Sequence, residues 1–247
     1  MAHEETSLPE KRVILITGAA RGLGRAIAEA AGRTGFSVAV NYRTQRAEAE
    51  EIVSRIHAQS GRAIAIGADV SDVEQAGNLV GATLEAFGRL DCVVNNAGIG
   101  EVITLEDLDQ DRFMRTVSVN LGGAFAVSQA AWPHMTTDGG RIVFVSSGAA
   151  RSGGKLSAAY AASKAGMEGL MHYYASELLR YRITANAIAP TLFQTAMLST
   201  MDLPPADSLP LERRGHPEEV WPALRMILDT EYLNGQTIHL DAGRYPT

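Results

Sequence analysis

Tyr160 and Lys164 stand four residues apart in the run KLSAAYAASKAGMEG, with only Ala161, Ala162 and Ser163 between them. On a helix that spacing puts phenol and ammonium on one face, one turn apart and uncrowded. A free phenol has a pKa of about 10, and a neighbouring ammonium favours the phenolate, which brings the proton closer to exchange near neutrality. Such a pair could hand a proton to an oxygen placed above it. A surface helix with a tyrosine over a lysine stem accounts for the same five residues, so the chemistry needs support from elsewhere in the chain.

A second stretch with chemical potential is TGAARGLG, Thr17 to Gly24, which follows the apolar VILI and opens a helix-like segment. Glycines at 18, 22 and 24 let the backbone turn tightly and approach a pyrophosphate, whose charge is favoured by the free N–H groups of a helix N-terminus. An ordinary strand-to-helix turn fits the glycines as well. Their place directly after the first strand favours the phosphate reading.

These groups need a scaffold to hold them. A chain of 247 residues, 46% hydrophobic, is long enough for one domain with a sizeable core. Short apolar runs read as strands: Val13 to Ile16, Ser37 to Val40, Ala63 to Ile66, Cys92 to Val94, Ile142 to Val145, Ile183 to Ile188 and Thr237 to Leu240. Helical stretches alternate with them. Leu23, Ala26, Ile27, Ala30 and Ala31 form one apolar stripe, Ser71 and Glu74 have capping-box spacing, and Pro217 with two acids opens another helix.

Apolar strands joined by helices imply an α/β fold, a single-domain, Rossmann-like, doubly wound parallel sheet of about seven strands with helices on both faces, over 11–247. Such a sheet binds ligands at the carboxyl ends of its strands, near the switch point beside the first. The irregular stretch 191–215, interrupted by three prolines, reads as a functional lid. Residues 1–10 carry acids and no apolar core, so they read as a flexible N-terminal tail and not as a signal peptide.

A formal charge of -6 argues against a nucleic-acid or anionic-membrane surface as partner. No stretch is apolar enough to span a bilayer, so a cytoplasmic protein is expected, without membrane attachment. The single cysteine, Cys92, forbids an internal disulfide, and the six histidines show no metal-ligand spacing. No metal site is expected.

The order Thr-Gly-x-x-x-Gly-x-Gly, then NNAG (Asn95 to Gly98), then Tyr-x-x-x-Lys resembles the short-chain dehydrogenase/reductase family. Residues 11 to 243 follow that order, with VSVNLGGAF around Asn120, IVFVSS ending at Ser147, and NGQTIHLDAG near the C-terminus. NYR, YAASKAG and the C-terminal motif look most like 3-oxoacyl-[acyl-carrier-protein] reductases. The resemblance implies a catalytic tetrad of Asn120, Ser147, Tyr160 and Lys164 and reduction of a carbonyl to a secondary alcohol. A nicotinamide supplies only the hydride in that reaction, so Tyr160 would deliver the proton and Ser147 would hold the carbonyl oxygen. As a residue, Asn120 fits a helix kink satisfied by backbone groups as well as it fits the family's role of holding a proton-relay water.

Cofactor choice turns on the second strand. Asn41 and Tyr42 occupy the positions where an NAD enzyme usually places an acid, while Arg21 and Arg43 could converge on a 2′-phosphate, with Arg46 as a weaker candidate. NADP(H) is therefore the expected cofactor. The resemblance adds Gly18, Gly22, Leu23, Gly24, Asp69, Val70, Asn96, Ala97, Gly98, Pro190, Leu192 and Thr195 as contacts, besides Tyr160 and Lys164. Two departures stand out: Thr191 replaces the usual glycine after Pro190, and Ala242 replaces a glycine in DAG.

Leu192, Phe193, Met197, Leu198, Met201 and Leu203 suggest an apolar or mixed pocket, or a lid seated on the core. The resemblance also brings an acyl carrier protein as a partner, for which Arg180 and Arg182 are candidate contacts, though an ordinary charged helix end explains them too. It further implies a homotetramer built through helices near Asp109 to Met135 and Leu156 to Arg180. A sugar, polyol or xenobiotic carbonyl reductase is an alternative on the same scaffold, and a non-catalytic dinucleotide-sensing protein is an alternative of another class.

Overall fold

The structure, a computed structural model, describes residues 12–199, 201 and 203–245; the tail expected over 1–10 lies outside the described residues. In chain order the elements are β1 (Val13–Ile16), α1 (Gly22–Arg33), β2 (Ser37–Tyr42), α2 (Arg46–Ala58), β3 (Arg62–Gly67), α3 (Val73–Phe87) and β4 (Cys92–Asn95). They continue with α4 (Gln110–Val117), α5 (Gly123–Ala131), β5 (Gly140–Val145), the single-turn α6 (Ala149–Ser152), α7 (Ala158–Leu178), β6 (Ile183–Pro190), α8 (Val220–Asp229) and β7 (Thr237–Leu240). All pairings are parallel, in the order β3-β2-β1-β4-β5-β6-β7. Every expected strand is present, most of them a residue or two longer than their apolar runs.

The pleat explains why β1 is apolar throughout. Val13 and Leu15 enter a cluster with Leu79, Val80, Val127, Met167 and Met171 from α3, α5 and α7. Ile14 and Ile16 enter a second cluster with Ile27, Ile52, Leu224 and Ile227 from α1, α2 and α8. Helices cover both faces, so no position of the strand can be polar. Each such side chain contributes about 1.5–3 kcal/mol of burial. Because the chain winds outward from β1 to β3 and then returns to place β4 on the other side of β1, a crevice opens at the carboxyl ends of these two strands.

Three expectations need correction. The cap of α3 is Asp72, whose carboxylate accepts from the backbone N–H groups of Glu74 and Gln75; Ser71 instead bonds back to Asp69. The long helix expected from Asp109 to Met135 is interrupted by a π-helical turn at Ser118–Gly122 and ends in a 3-10 turn at Trp132–Met135, where Pro133 supplies no backbone donor. Arg180 and Arg182 precede β6, whose far end, Pro190, reaches the cleft; eight residues of strand, roughly 25 Å, separate them from it. They are therefore misplaced for greeting a partner at the pocket, and Arg182 pairs with Glu231 at 3.6 Å.

Both departures from the family's glycines leave a structural mark. Thr191 donates its backbone N–H to Leu240 O at 2.9 Å, and its side chain fills the space that a Cβ on Gly148 would need. The bulk added at 191 is thus compensated by its absence at 148. Ala242 adopts the left-handed conformation, φ +55°, where a Cβ is strained. Ala242→Gly is expected to raise stability by up to about 1 kcal/mol, a shift in Tm of about 2–4 °C by differential scanning calorimetry. A lowered Tm would show that the turn depends on the alanine methyl.

Candidate active site

Helix α7 is capped by Ser157, whose hydroxyl accepts from the Tyr160 N–H at 3.2 Å and so fixes the orientation of the first turn. Tyr160, Ser163, Lys164, Met167 and Met171 then follow at helical spacing along the buried stripe. Lys164 Nζ donates to Val145 O, the last residue of β5, at 2.7 Å. Ser147 lies two residues beyond that carbonyl. The adjacent Ser146 hydroxyl donates to Glu168 Oε1 at 2.7 Å, a second tie between strand end and helix. The stripe below Tyr160 serves the core, where Met167, Met171, Tyr174 and Leu178 are buried.

The electrostatics differ from the simple pairing of phenol and ammonium. Lys164 Nζ lies 5.7 Å from the Tyr160 ring centroid, and its hydrogen bond goes to Val145. Burial raises the Tyr160 pKa above its ordinary value, and hydrogen bonding to Ser147 opposes that rise without cancelling it. The expected lowering by Lys164 is absent from this arrangement. Burial also brings the Lys164 ammonium down from 10.5 to about 8. Tyr160 is thus a protonated phenol near neutrality, which suits donation.

Asn120 matches the reading of a helix break satisfied by backbone groups. It sits in the π-helical turn, fully buried, where its Oδ1 accepts from Ile99 N at 2.8 Å and its Nδ2 donates to Ile99 O and Ser163 Oγ, each at 3.0 Å. The extra residue of the turn brings this amide against the loop after β4. Gly98 leaves room for it: a Cβ there would stand 3.2 Å from Asn120 Oδ1 and 3.7 Å from Lys164 Nζ.

The glycine loop is built by its neighbours. Gly18 and Gly22 take φ +60° and +56°, and the Gly18 N–H donates to Asn41 Oδ1 at 3.0 Å. Asn41 is buried and spends its amide donors on the carbonyls of Tyr42, Ile66 and Ala68, so it braces the loop from beneath. Gly24 has another task. A Cβ there would fall 2.5 Å from Asn96 Nδ2, which bonds the carbonyls of Thr17 and Gly18 at 2.8 and 3.0 Å. Its hydrogen is required for packing between the loop and β4.

A cavity of about 330 Å³ runs along this crevice. Gly18, Arg21, Gly22, Leu23, Asn41, Tyr42, Arg43, Asp69, Val70, Asn96, Ala97, Gly98, Ser147, Tyr160, Lys164, Pro190, Leu192 and Thr195 all reach its walls. Gly24 and Asn120 do not line it. Arg43 pairs with Asp69 at 3.5 Å, while Arg46 is committed to Glu50 at 2.7 Å and leaves the crevice. Two positive-φ glycines, a braced loop and the basic side chains of Arg21 and Arg43 fit a dinucleotide. Lys155, Arg244 and Tyr245 also line the cavity, and sequence reading missed them because no motif marks them.

Met197 and Met201 pack on Ala149, Leu156 and Tyr160, so the 191–215 segment both seats on the core and walls the cavity. Phe193 is anchored by a parallel bridge to Gly215, where a Cβ would strike the Phe193 ring.

Comparison with known proteins agrees with this geometry. A family model described as short chain dehydrogenase matches residues 12–204. The chain is 36% identical to a 3-oxoacyl-[acyl-carrier-protein] reductase of Synechocystis sp. over 237 residues, covering 94% of this chain and 96% of the relative. It is 35% identical to an L-rhamnose 1-dehydrogenase (NAD(P)(+)) of Azotobacter vinelandii, covering 95% and 96%. Among solved structures, a levodione reductase superposes with a TM-score of 0.88 at 32% identity, covering 94% and 97%. An acetoin dehydrogenase of Salmonella typhimurium gives 0.86 at 28%, covering 94% and 95%. With this fold, this crevice and a family match over most of its length, the chain belongs to the short-chain dehydrogenase family, oxidoreductases of the CH–OH/C=O couple.

Proposed function

We propose that the protein is an NADP(H)-dependent reductase that converts a ketone, a 3-oxoacyl thioester or a related carbonyl, to a secondary alcohol. The observation that carries this reading is that Ser147, Tyr160 and Lys164 line one cavity, with Ser147 hydrogen-bonded to Tyr160. A nicotinamide dinucleotide supplies the hydride when bound. Tyr160, kept protonated by burial, gives its hydroxyl proton to the carbonyl oxygen as charge develops there. Ser147 donates a hydrogen bond to the same oxygen. Lys164, tied to Val145, would hold the nicotinamide ribose through its ammonium, and Asn120 holds the Ile99 loop that backs the pair.

Arg21 and Arg43 support the choice of NADP(H), since the wall beside β2 offers two guanidinium groups and no acid from Asn41 or Tyr42. The apolar packing of Met197, Met201 and Leu156 around Tyr160 favours an acyl or cyclic ketone over a sugar. A homotetramer accompanies the reading; Phe125 on α5 and Tyr173 on α7 are the exposed rings that such an interface would bury. The 191–215 segment is proposed as the lid of the cavity.

The test is oxidation of NADPH and NADH across acetoacetyl thioesters, cyclic and linear ketones, and aldoses. Turnover of a ketone or thioester is expected, with a KM for NADPH about tenfold or more below that for NADH. A lower KM for NADH would remove the cofactor assignment. Binding of NADPH with no oxidation on any member of the panel would return the dinucleotide-sensing alternative.

A further inference from the structure

The cavity carries a charge pattern opposite to that of the whole protein. Arg21, Arg43, Lys155, Lys164 and Arg244 line it against one acid, Asp69, although the chain has a formal charge of -6. Arg21 and Arg43 stand at the glycine-loop end, and Lys164 sits beside Tyr160. Lys155 and Arg244 line it from segments other than the glycine loop and the end of β2. Lys155 precedes Leu156, which packs with Tyr160.

Arg244 is held by a built turn. The Asp241 carboxylate accepts from the N–H groups of Gly243 at 2.9 Å and Tyr245 at 3.1 Å, and Arg244 N donates to Asp241 O at 3.1 Å. The Arg244 Nε donates to the Tyr245 hydroxyl at 3.2 Å, and its guanidinium stands 5.6 Å from that ring's centroid. Nearby in the same cavity wall, Ser152 Oγ donates to Gly148 O at 2.9 Å, one residue from Ser147. The guanidinium is thus held by Tyr245 in the cavity that Ser147 and Tyr160 also line. No carboxylate among the described residues pairs with it, whereas Arg12, Arg25, Arg43, Arg46, Arg55 and Arg213 each have one.

We propose that Arg244, assisted by Lys155, recognises an anionic group on the substrate, so that the preferred ketone carries a carboxylate or phosphate beyond its carbonyl. This rests on the reductase reading and adds the substrate's charge to it. The terminal Nη groups of Arg244 have no described partner, which leaves a planar fork of donors for two anionic oxygens. A positive cavity in a negative protein also concentrates anionic ligands there.

The test uses matched probes: oxo carboxylates with two to five carbons between the two groups, their methyl esters, and acetoacetyl pantetheine with and without its 4′-phosphate. With NADPH, at least one anion should exceed its neutral partner in kcat/KM by about tenfold, and Arg244→Gln should bring that ratio towards one mainly through KM, with Arg244→Lys between the two. The carboxylate and phosphate arms identify the source of the charge. Calorimetric titration of the same probes onto NADPH-loaded Tyr160→Phe reads binding without turnover. Wild-type ratios near one in every pair, equal binding of anion and neutral probe, or an unchanged ratio in Arg244→Gln overturns the proposal. Turnover of no ketone while the anions still bind Arg244-dependently overturns the reductase reading and leaves anion recognition standing.

Discussion

Tyr160→Phe lowers kcat by about 100- to 10,000-fold while NADPH still binds, the range that a positioned general acid contributes. The substitution deletes one hydroxyl. The ring keeps its packing with Leu156, Met197 and Met201, and the Ser157 cap on the helix uses only the Tyr160 backbone N–H. Folding and the cofactor walls should therefore survive, so a fall in rate reports proton delivery. Steady-state kinetics on the best ketone, with NADPH fluorescence titration for binding, separate the two. Wild-type turnover in the variant would assign the proton to another group.

Lys164→Met makes the protein more stable at pH 7 and nearly inactive. The ammonium is buried, and its folded pKa is about 8 against an ordinary 10.5. A base whose pKa is lower when folded binds its proton less tightly there, so the charged form costs stability. That cost is complete below about pH 8 and disappears as pH rises towards the unfolded value. A shift of this size corresponds to about 3 kcal/mol at pH 7, offset by about 1 kcal/mol for leaving the Val145 carbonyl without its donor. Urea unfolding of the cofactor-free proteins should show the variant ahead by about 2 kcal/mol at pH 7, with the gap narrowing above pH 8 and lost near pH 10. A variant that is less stable at pH 7 would mean that the folded site favours the ammonium.

Such a residue, unfavourable for folding and retained in the cavity wall, is what a functional site looks like in a core otherwise assembled from apolar clusters. Asn120 is the polar counterpart with every partner in place. Its amide satisfies both backbone groups of Ile99, so the break in the long helix is stabilised by the bonds it makes possible.

The alternation of apolar strands and amphipathic helices was enough to give the parallel sheet, because burial on both faces forbids polar positions and thereby writes itself into the residues. Tyr160 and Lys164 were equally legible, since a four-residue helical spacing is a local property. The positions of Gly18 and Gly22 followed from the turn that a strand-to-helix junction requires. The cap at Asp72 was missed by one residue, because Ser71 and Asp72 offer the same local chemistry and only the path out of β3 selects between them.

What the sequence alone determined is therefore what short-range geometry dictates: the period of the elements, the turn after β1 and the residue pair on α7. The tertiary structure decided the rest through contacts between distant segments. It put Arg180 and Arg182 at the end of β6 away from the cleft, turned Asn41 beneath the glycine loop, packed Gly24 against Asn96, and raised the phenol's proton affinity by burial. It also carried Arg244 from the C-terminal turn to the cavity that holds Ser147, nearly a hundred residues earlier. Proximity of that kind, and the desolvation that comes with it, depends on where the chain returns in space, which no local spacing encodes.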